Sequence, residues 1–219
     1  MRPLRALFAV AGATGALVLA TPTAMAAPVP AASAVPGVQQ SFDSPGPVPS
    51  KPVIATYKGK EIDLSKGWAG ARVCTEVPGG AVYCSDSLAE ADTALQTIAP
   101  AMAEVAKKAP AVRANGVVSP HLITDCTYGW ACLFEHSDYS GRMLRWSDAG
   151  TKNLSDWSFR DQASSACVNR RSGGMSVYDD RSFQPDPSLA LGNGGCYDFT
   201  TIGYIYGGNW NDKVDYVEL

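Results

Sequence analysis

The chain has 219 residues, a formal net charge of −3 and six cysteines. Its 18 basic side chains do not exceed its 21 acidic ones, so it lacks the surplus positive charge that phosphate binding requires. This argues against nucleic acid as a partner. The length is enough for one domain and a smaller companion.

Residues 1–26 are predicted to be a signal peptide that is removed on export. Arg2 and Arg5 precede an uncharged apolar run from Leu7 to Ala20, and Ala24-Met25-Ala26 has the small residues that a signal peptidase needs. The apolar run is about 14 residues long, against roughly 20 for a membrane span. We therefore expect a secreted, extracellular protein that has no membrane association after signal cleavage.

The six cysteines all follow the signal peptide, and an even number in an exported protein indicates disulfides. A zinc site is the weaker alternative, because no C-x-x-C pair exists and the chain has only two histidines.

The spacing of the cysteines suggests which of them pair. Cys74 and Cys84 would face each other across a predicted hairpin and are expected to form a local disulfide. Among the four that follow, Cys126 and Cys132 are the short pair, and Cys167 with Cys196 remains, although four cysteines allow three pairings.

The first half of the mature chain divides by composition. Residues 27–52 are rich in proline and alanine and are predicted to be a disordered spacer, because such a segment cannot bury a core. Residues 53–115 are predicted to form a small α+β module, a hairpin plus a helix. Ser87 and Glu90 form a capping-box pattern at the start of that helix, and Pro100 is expected to kink or break it.

Residues 121–219 are predicted to form a separate, mainly all-β domain. Short alternating runs are separated by turn-forming residues, which is typical of an antiparallel sandwich. The predicted strands are Ala131–Phe134, Arg142–Trp146, Ser165–Asn169, Met175–Tyr178, Ser188–Leu191 and Val214–Leu219.

This region also contains an internal repeat. The segment from Phe134 to Gly141 has an aromatic residue, four residues, a second aromatic, one residue and glycine. The segment from Tyr178 to Pro185 has the same spacing, with proline in place of glycine. A second pair, FRDQASS from Phe159 and WNDKVDY from Trp210, follows in the same order, which indicates a duplicated unit.

These two signatures resemble those of the βγ-crystallin superfamily, whose fold is two Greek keys packed face to face. More narrowly, residues 126–219 resemble the bacterial metalloproteinase-inhibitor (peptidase inhibitor) family with that fold. The stretch from Cys132 to Asn169 carries most of the resemblance. The resemblance implies a two-Greek-key βγ-crystallin-like sandwich at the C-terminus, after the α+β module.

The superfamily also implies a candidate calcium site. In its calcium-binding members the loop that the second signature forms supplies ligands, and each loop helps to complete the other's site. Transferred to this sequence, the ligands would be Asp161 and Ser164 from one loop and Asp212 and Asp215 from the other. Arg160 departs from the pattern, and the alternative is that these side chains only cap their own turns.

The family resemblance predicts a non-catalytic protein that inhibits an extracellular protease by inserting a loop, although the sequence does not identify the inhibitory loop. No G-x-S-x-G motif is present, and neither His121 nor His136 has a recognisable catalytic neighbour. The alternative is a calcium-binding or cell-wall/glycan-associated module with a structural or toxin-like role, in which the five tryptophans and nine tyrosines could stack on sugar rings. In a sandwich the commoner role of such residues is in the core, and this alternative applies to Trp130, Trp146, Trp157 and Trp210.

Overall fold

The structure is a computed structural model, and it describes residues 35, 37–46, 49–108 and 126–219. The predicted signal peptide and His121 lie outside the described residues. Within them there are two α-helices, α1 (Leu88–Ile98) and α2 (Pro100–Lys107). The thirteen strands are β1 (Val38–Ser41), β2 (Ile54–Tyr57), β3 (Lys60–Asp63), β4 (Val73–Glu76), β5 (Val82–Ser85), β6 (Trp130–Phe134), β7 (Met143–Trp146), β8 (Thr151–Asn153), β9 (Ser165–Asn169), β10 (Met175–Tyr178), β11 (Ser188–Leu191), β12 (Gly195–Asp198) and β13 (Tyr216–Glu218).

The strands form two sheets, so the prediction of a mainly β fold is confirmed. One sheet has five strands in the order β1-β11-β10-β13-β8. The other has eight strands in the order β12-β9-β6-β7-β4-β5-β2-β3. The finer Greek-key arrangement stays a prediction.

The eight-stranded sheet contains strands from both predicted domains. Strand β4 pairs in parallel with β7, with Val73 opposite Met143 and Glu76 opposite Trp146. The segments predicted as an α+β module and a C-terminal domain therefore share one sheet, and the boundary between them stays a prediction.

The central strands of the eight-stranded sheet, β9, β6, β7 and β4, are buried along their whole length, so both faces of this part of the sheet are covered. In β6, Ala131 and Leu133 belong to the core that faces the five-stranded sheet, whereas Trp130 and Phe134 face the helices. Leu95 of α1 packs in this second core. The chain is thus layered as helices, large sheet and small sheet.

The helix boundaries follow from capping and from proline. The Ser87 hydroxyl accepts a hydrogen bond from the Glu90 amide at 3.2 Å, and Glu90 Oε2 accepts one from the Asp86 amide at 2.9 Å. The reciprocal bond therefore goes to Asp86 rather than to Ser87. Pro100 begins α2, because proline is compatible with the first turn of a helix but not with its interior.

The structure contains three disulfides, Cys74–Cys84, Cys126–Cys132 and Cys167–Cys196, and these are the pairings put forward from the sequence. Cys74 lies directly opposite Cys84 across β4 and β5, and Cys167 lies directly opposite Cys196 across β9 and β12. Two of the three disulfides therefore lock the register of neighbouring strands.

Part of the predicted spacer is a strand. Val38–Ser41 forms β1 and pairs antiparallel with β11 over four residue pairs. Pairing satisfies backbone groups of β11 that would otherwise form an open sheet edge, and Val38 packs against the main core. A polar, proline-rich flank can thus supply an edge strand when a sheet offers the partner.

Candidate functional site

The loop that joins β10 to β11, residues 179–187, presents a fully exposed aromatic side chain. Phe183 has a relative exposure of 100%. Among the described residues the other large exposed apolar side chains are Phe42, Ile54 and Tyr206. Single exposed apolar residues are common, but Phe42 and Tyr206 both belong to the surroundings of this loop, and such grouping marks interaction sites.

The first copy of the repeat shows how this segment folds when glycine ends it. Tyr139 packs edge-on against Phe134, with ring centroids 5.9 Å apart. The fold-over requires Gly141, which has φ +81°, and a Cβ atom there would lie 2.8 Å from His136 Cδ2. In this copy the second aromatic side chain is half-buried.

In the second copy proline prevents the same fold-over. Pro185 stands at the position of Gly141, and its ring fixes φ near −65°. Phe183, the counterpart of Tyr139, projects into solvent. Tyr178, the counterpart of Phe134, stacks instead on Tyr216, with centroids 4.6 Å apart and ring planes 4° from parallel.

Hydrogen bonds across its base hold the loop in shape. The Arg181 amide donates to Asp186 Oδ1 at 2.7 Å, and the Asp179 amide donates to the Pro187 carbonyl at 3.2 Å. The Arg181 guanidinium donates to Gln184 Oε1 at 3.1 Å and pairs with Asp179 Oδ2 at 3.4 Å. The tip is therefore exposed while both ends are joined.

A second set of contacts supports the loop from behind. The Tyr206 hydroxyl donates to the Pro185 carbonyl at 2.8 Å, and the Arg181 guanidinium lies 5.5 Å from the centroid of the Tyr206 ring. Phe42 packs against Tyr206, with ring centroids 5.9 Å apart, and the Tyr204 hydroxyl bonds to Asp179. Tyr204 is buried, so the support is anchored in the core.

Beside the loop is an open cleft of about 630 Å³ lined mainly by charged residues. Arg160 forms an ion pair with Asp215 at its base, and it also lies 3.7 Å from Asp161 and 3.9 Å from Asp180. Burial raises the pKa of Asp215 to about 7, against the opposing effects of the Asp180 amide and of Arg160. Burial likewise raises the pKa of Asp161.

The residues predicted to bind calcium are brought together in two pairs. Asp161 and Asp215 both line the cleft, and Ser164 Oγ donates to Asp212 Oδ1 at 3.5 Å. Asp161 and Asp212, which correspond in the two copies, share a left-handed backbone with φ of +55° and +54°.

This arrangement of charges does not favour calcium binding. The guanidinium of Arg160 lies where a metal would have to neutralise Asp161 and Asp215. In the part of the chain that the structure describes, no group of three or more histidine, cysteine or acidic side chains could hold a metal ion. Calcium binding stays a prediction.

The short disulfide Cys126–Cys132 does not hold an exposed loop. Cys126 and Cys132 are both fully buried on the helix-facing side of the large sheet. Sequence reasoning missed the loop at residues 179–187. The available signal was Pro185, because proline at the glycine position of the repeat prevents the second aromatic residue from packing inward.

Residues 120–190 match the model of peptidase inhibitor family I36. This confirms, over the residues in common, the family resemblance predicted for residues 126–219. The matched segment contains the whole loop from Asp179 to Pro187. The match supports a role in protease inhibition and favours a non-catalytic protein. No curated protein and no solved structure matches the chain significantly.

Proposed function

We propose that this protein is a secreted, non-catalytic inhibitor that inserts the loop 179–187 into the active-site cleft of an extracellular protease. The observation that carries the proposal is the full exposure of Phe183 at the tip of a loop whose two ends are bonded together. The match to a peptidase inhibitor family over this segment supports the same role.

The target is a protease whose primary pocket is apolar, because Phe183 is the side chain that enters it. Burying a phenylalanine side chain from full exposure stabilises a complex by about 1.5–3 kcal/mol. The neighbouring Ser182 and Gln184 are uncharged and match the polar rim of such a pocket.

Preorganisation makes the loop an inhibitor rather than a substrate. A loop already held in its bound shape loses less conformational entropy on binding. After cleavage on either side of Phe183, the bonds from Arg181 to Asp186 and from Asp179 to Pro187 still hold the two new ends together. The cut ends therefore stay in place and favour resynthesis of the bond over release.

Export accounts for the predicted signal peptide at residues 1–26 and for the disulfides. Three disulfides within the described residues suit an oxidising compartment. Of the helices that the structure describes, none has the length and apolar character to cross a bilayer.

The tryptophans do not support the alternative of a glycan-associated module. All five tryptophans lie within the described residues, and each is buried, with a relative exposure of 5% or less. Buried indole rings cannot stack on sugars.

The test is inhibition of a panel of metallo-, serine and cysteine proteases by the mature disulfide-bonded chain, followed by mass spectrometry of the mixtures. We expect nanomolar to micromolar inhibition of enzymes with apolar primary pockets, and one slow cut on either side of Phe183. Phe183→Ala should weaken inhibition about 30- to 1,000-fold, as expected for an interface hot spot.

Ile54→Ala is the matched control, because Ile54 is also an exposed apolar residue but lies on β2 of the large sheet. It should inhibit like the parent protein. Equal inhibition by the parent and by Phe183→Ala would show that the loop is not the inhibitory element. No inhibition of any protease class would refute the proposed function.

A further inference from the structure

We propose that the N-terminal arm, residues 37–46, is the positioning element of the inhibitory loop, so that losing its contacts turns the inhibitor into a substrate. This inference rests on the proposed function. The arm reaches the loop through β1, which pairs with β11 from Val38 opposite Leu191 to Ser41 opposite Ser188. Ser188 directly follows Pro187, the last residue of the loop, so β1 ends beside the C-terminal end of the loop.

The first contact is made by Ser44. Its hydroxyl donates to Asp186 Oδ2 at 3.3 Å and also bonds to the Tyr216 hydroxyl. The other oxygen of the same carboxylate accepts the Arg181 amide at 2.7 Å, the bond that closes the loop. Ser44 therefore orients the carboxylate on which the shape of the loop depends.

The second contact is made by Phe42. Its ring packs on Tyr206 at 5.9 Å, and the Tyr206 hydroxyl donates to the Pro185 carbonyl at 2.8 Å. Phe42 thus fixes the ring that supports the loop from behind. The arm touches both supports of the loop, Asp186 and Tyr206, through side chains two residues apart.

The arm is also placed where a protease can reach it. Phe42, Asp43 and Pro45 are exposed, and the chain before the arm is rich in proline and alanine. Exposed segments with small or polar residues, such as Asp43 and its neighbours, are preferred sites of proteolytic nicking. Cleavage that releases the arm would remove both contacts together and free the edge of β11.

The experiment compares the mature chain with Ser44→Ala, Phe42→Ala and the double variant. Inhibition constants, the rate of cleavage beside Phe183 and the melting temperature are measured for each. We expect the double variant to inhibit about 10-fold less tightly and to be cut about 10-fold faster, because a loop that must be ordered on binding binds more weakly. Ser44→Thr keeps the hydroxyl, so it should inhibit and resist cleavage nearly as well as the parent protein.

The matched control is Ser140→Ala. Ser140 also donates to an aspartate, Asp138 Oδ1 at 2.6 Å, but in the hairpin of the first repeat. It should leave the inhibition constant and the cleavage rate unchanged. A double variant that loses inhibition only in proportion to its melting temperature, with the cleavage rate unchanged, would overturn the inference.

The two proposals fail differently. If Phe183→Ala abolishes inhibition while the arm variants inhibit and resist cleavage like the parent, the inhibitory loop stands and the positioning role of the arm is wrong. If the parent inhibits no protease, the proposed function fails and this inference fails with it.

Discussion

Replacing Asp92 should strongly destabilise the protein, because Asp92 neutralises a cation in the core. Arg145 lies in the middle of the large sheet with a relative exposure of 0%, and its Nη1 is 2.5 Å from Asp92 Oδ1 on α1. Its Nε donates to Thr75 Oγ1 at 2.6 Å, and its guanidinium lies 5.1 Å from the centroid of the Trp130 ring. Burial lowers the pKa of Arg145, whereas Asp92 acts in the opposite direction.

The expected loss of stability depends on how deeply each partner of the ion pair is buried. Breaking a buried pair by removing one partner costs about 3–5 kcal/mol, because a buried charge is left unpaired. The side chain of Asp92 is 39% exposed, so water screens part of the interaction. We therefore expect Asp92→Ala to lower the free energy of unfolding by about 2–4 kcal/mol, which is a drop in melting temperature of roughly 4–16 °C.

Urea unfolding at neutral pH with the disulfides intact measures this change. Glu104→Ala is the control, because the ion pair of Glu104 with Lys107, 2.6 Å across the exposed face of α2, is screened by water and its loss should leave the urea midpoint almost unchanged. Adding Arg145→Met to Asp92→Ala should recover part of the loss, since the unpaired charge is then gone. If Asp92→Ala changed stability no more than Glu104→Ala, the reasoning would be refuted.

Three further predictions concern the stability of other parts of the fold. Gly141→Ala should lower the unfolding free energy by about 1–3 kcal/mol, because its Cβ would lie 2.8 Å from His136 Cδ2 at a positive φ; urea unfolding unchanged from the parent would contradict this. Since the pKa of Asp215 is raised to about 7, the folded state binds more protons than the unfolded state between about pH 4 and 7. The contribution of Asp215 to stability should therefore fall as pH rises through that window, and Asp215→Asn should remove this fall in melting temperatures recorded from pH 4 to 8; identical profiles for both proteins would count against it. Replacing Cys74 and Cys84 together by serine should lower the free energy of unfolding by about 2–3 kcal/mol, because the disulfide no longer restricts the unfolded chain between two residues ten positions apart. An unchanged urea midpoint would show that this disulfide does not stabilise the protein.

Local patterns were sufficient to predict most of the elements. The alternation in Ser165–Asn169, Met175–Tyr178 and Ser188–Leu191 gives the strands β9, β10 and β11 with the predicted bounds. Strand β8 was missed because its three residues, Thr-Lys-Asn, are polar and only half-buried. Strand β12 was missed because it begins within a glycine-rich turn.

Non-local pairing could not be predicted in the same way. The parallel contact of β4 with β7 joins segments about 70 residues apart, and neither sequence specifies its partner. Strand β1 was hidden for a related reason, since Val38–Ser41 has the polar composition of a spacer and is ordered by the edge of β11. The repeat covered residues 178–185 but did not single out the loop at residues 179–187, because the outward position of Phe183 depends on the contrast between Pro185 and Gly141.

The parallel pairing of β4 with β7 also limits how this protein can be divided. The family-matched segment, residues 120–190, contains β7 but not β4. A fragment that lacked β4 would present β7 with unpaired backbone groups beside an apolar surface, which is a template for self-association. Residues 120–190 expressed alone, or fused to another protein, should therefore expose this sheet edge and tend to aggregate.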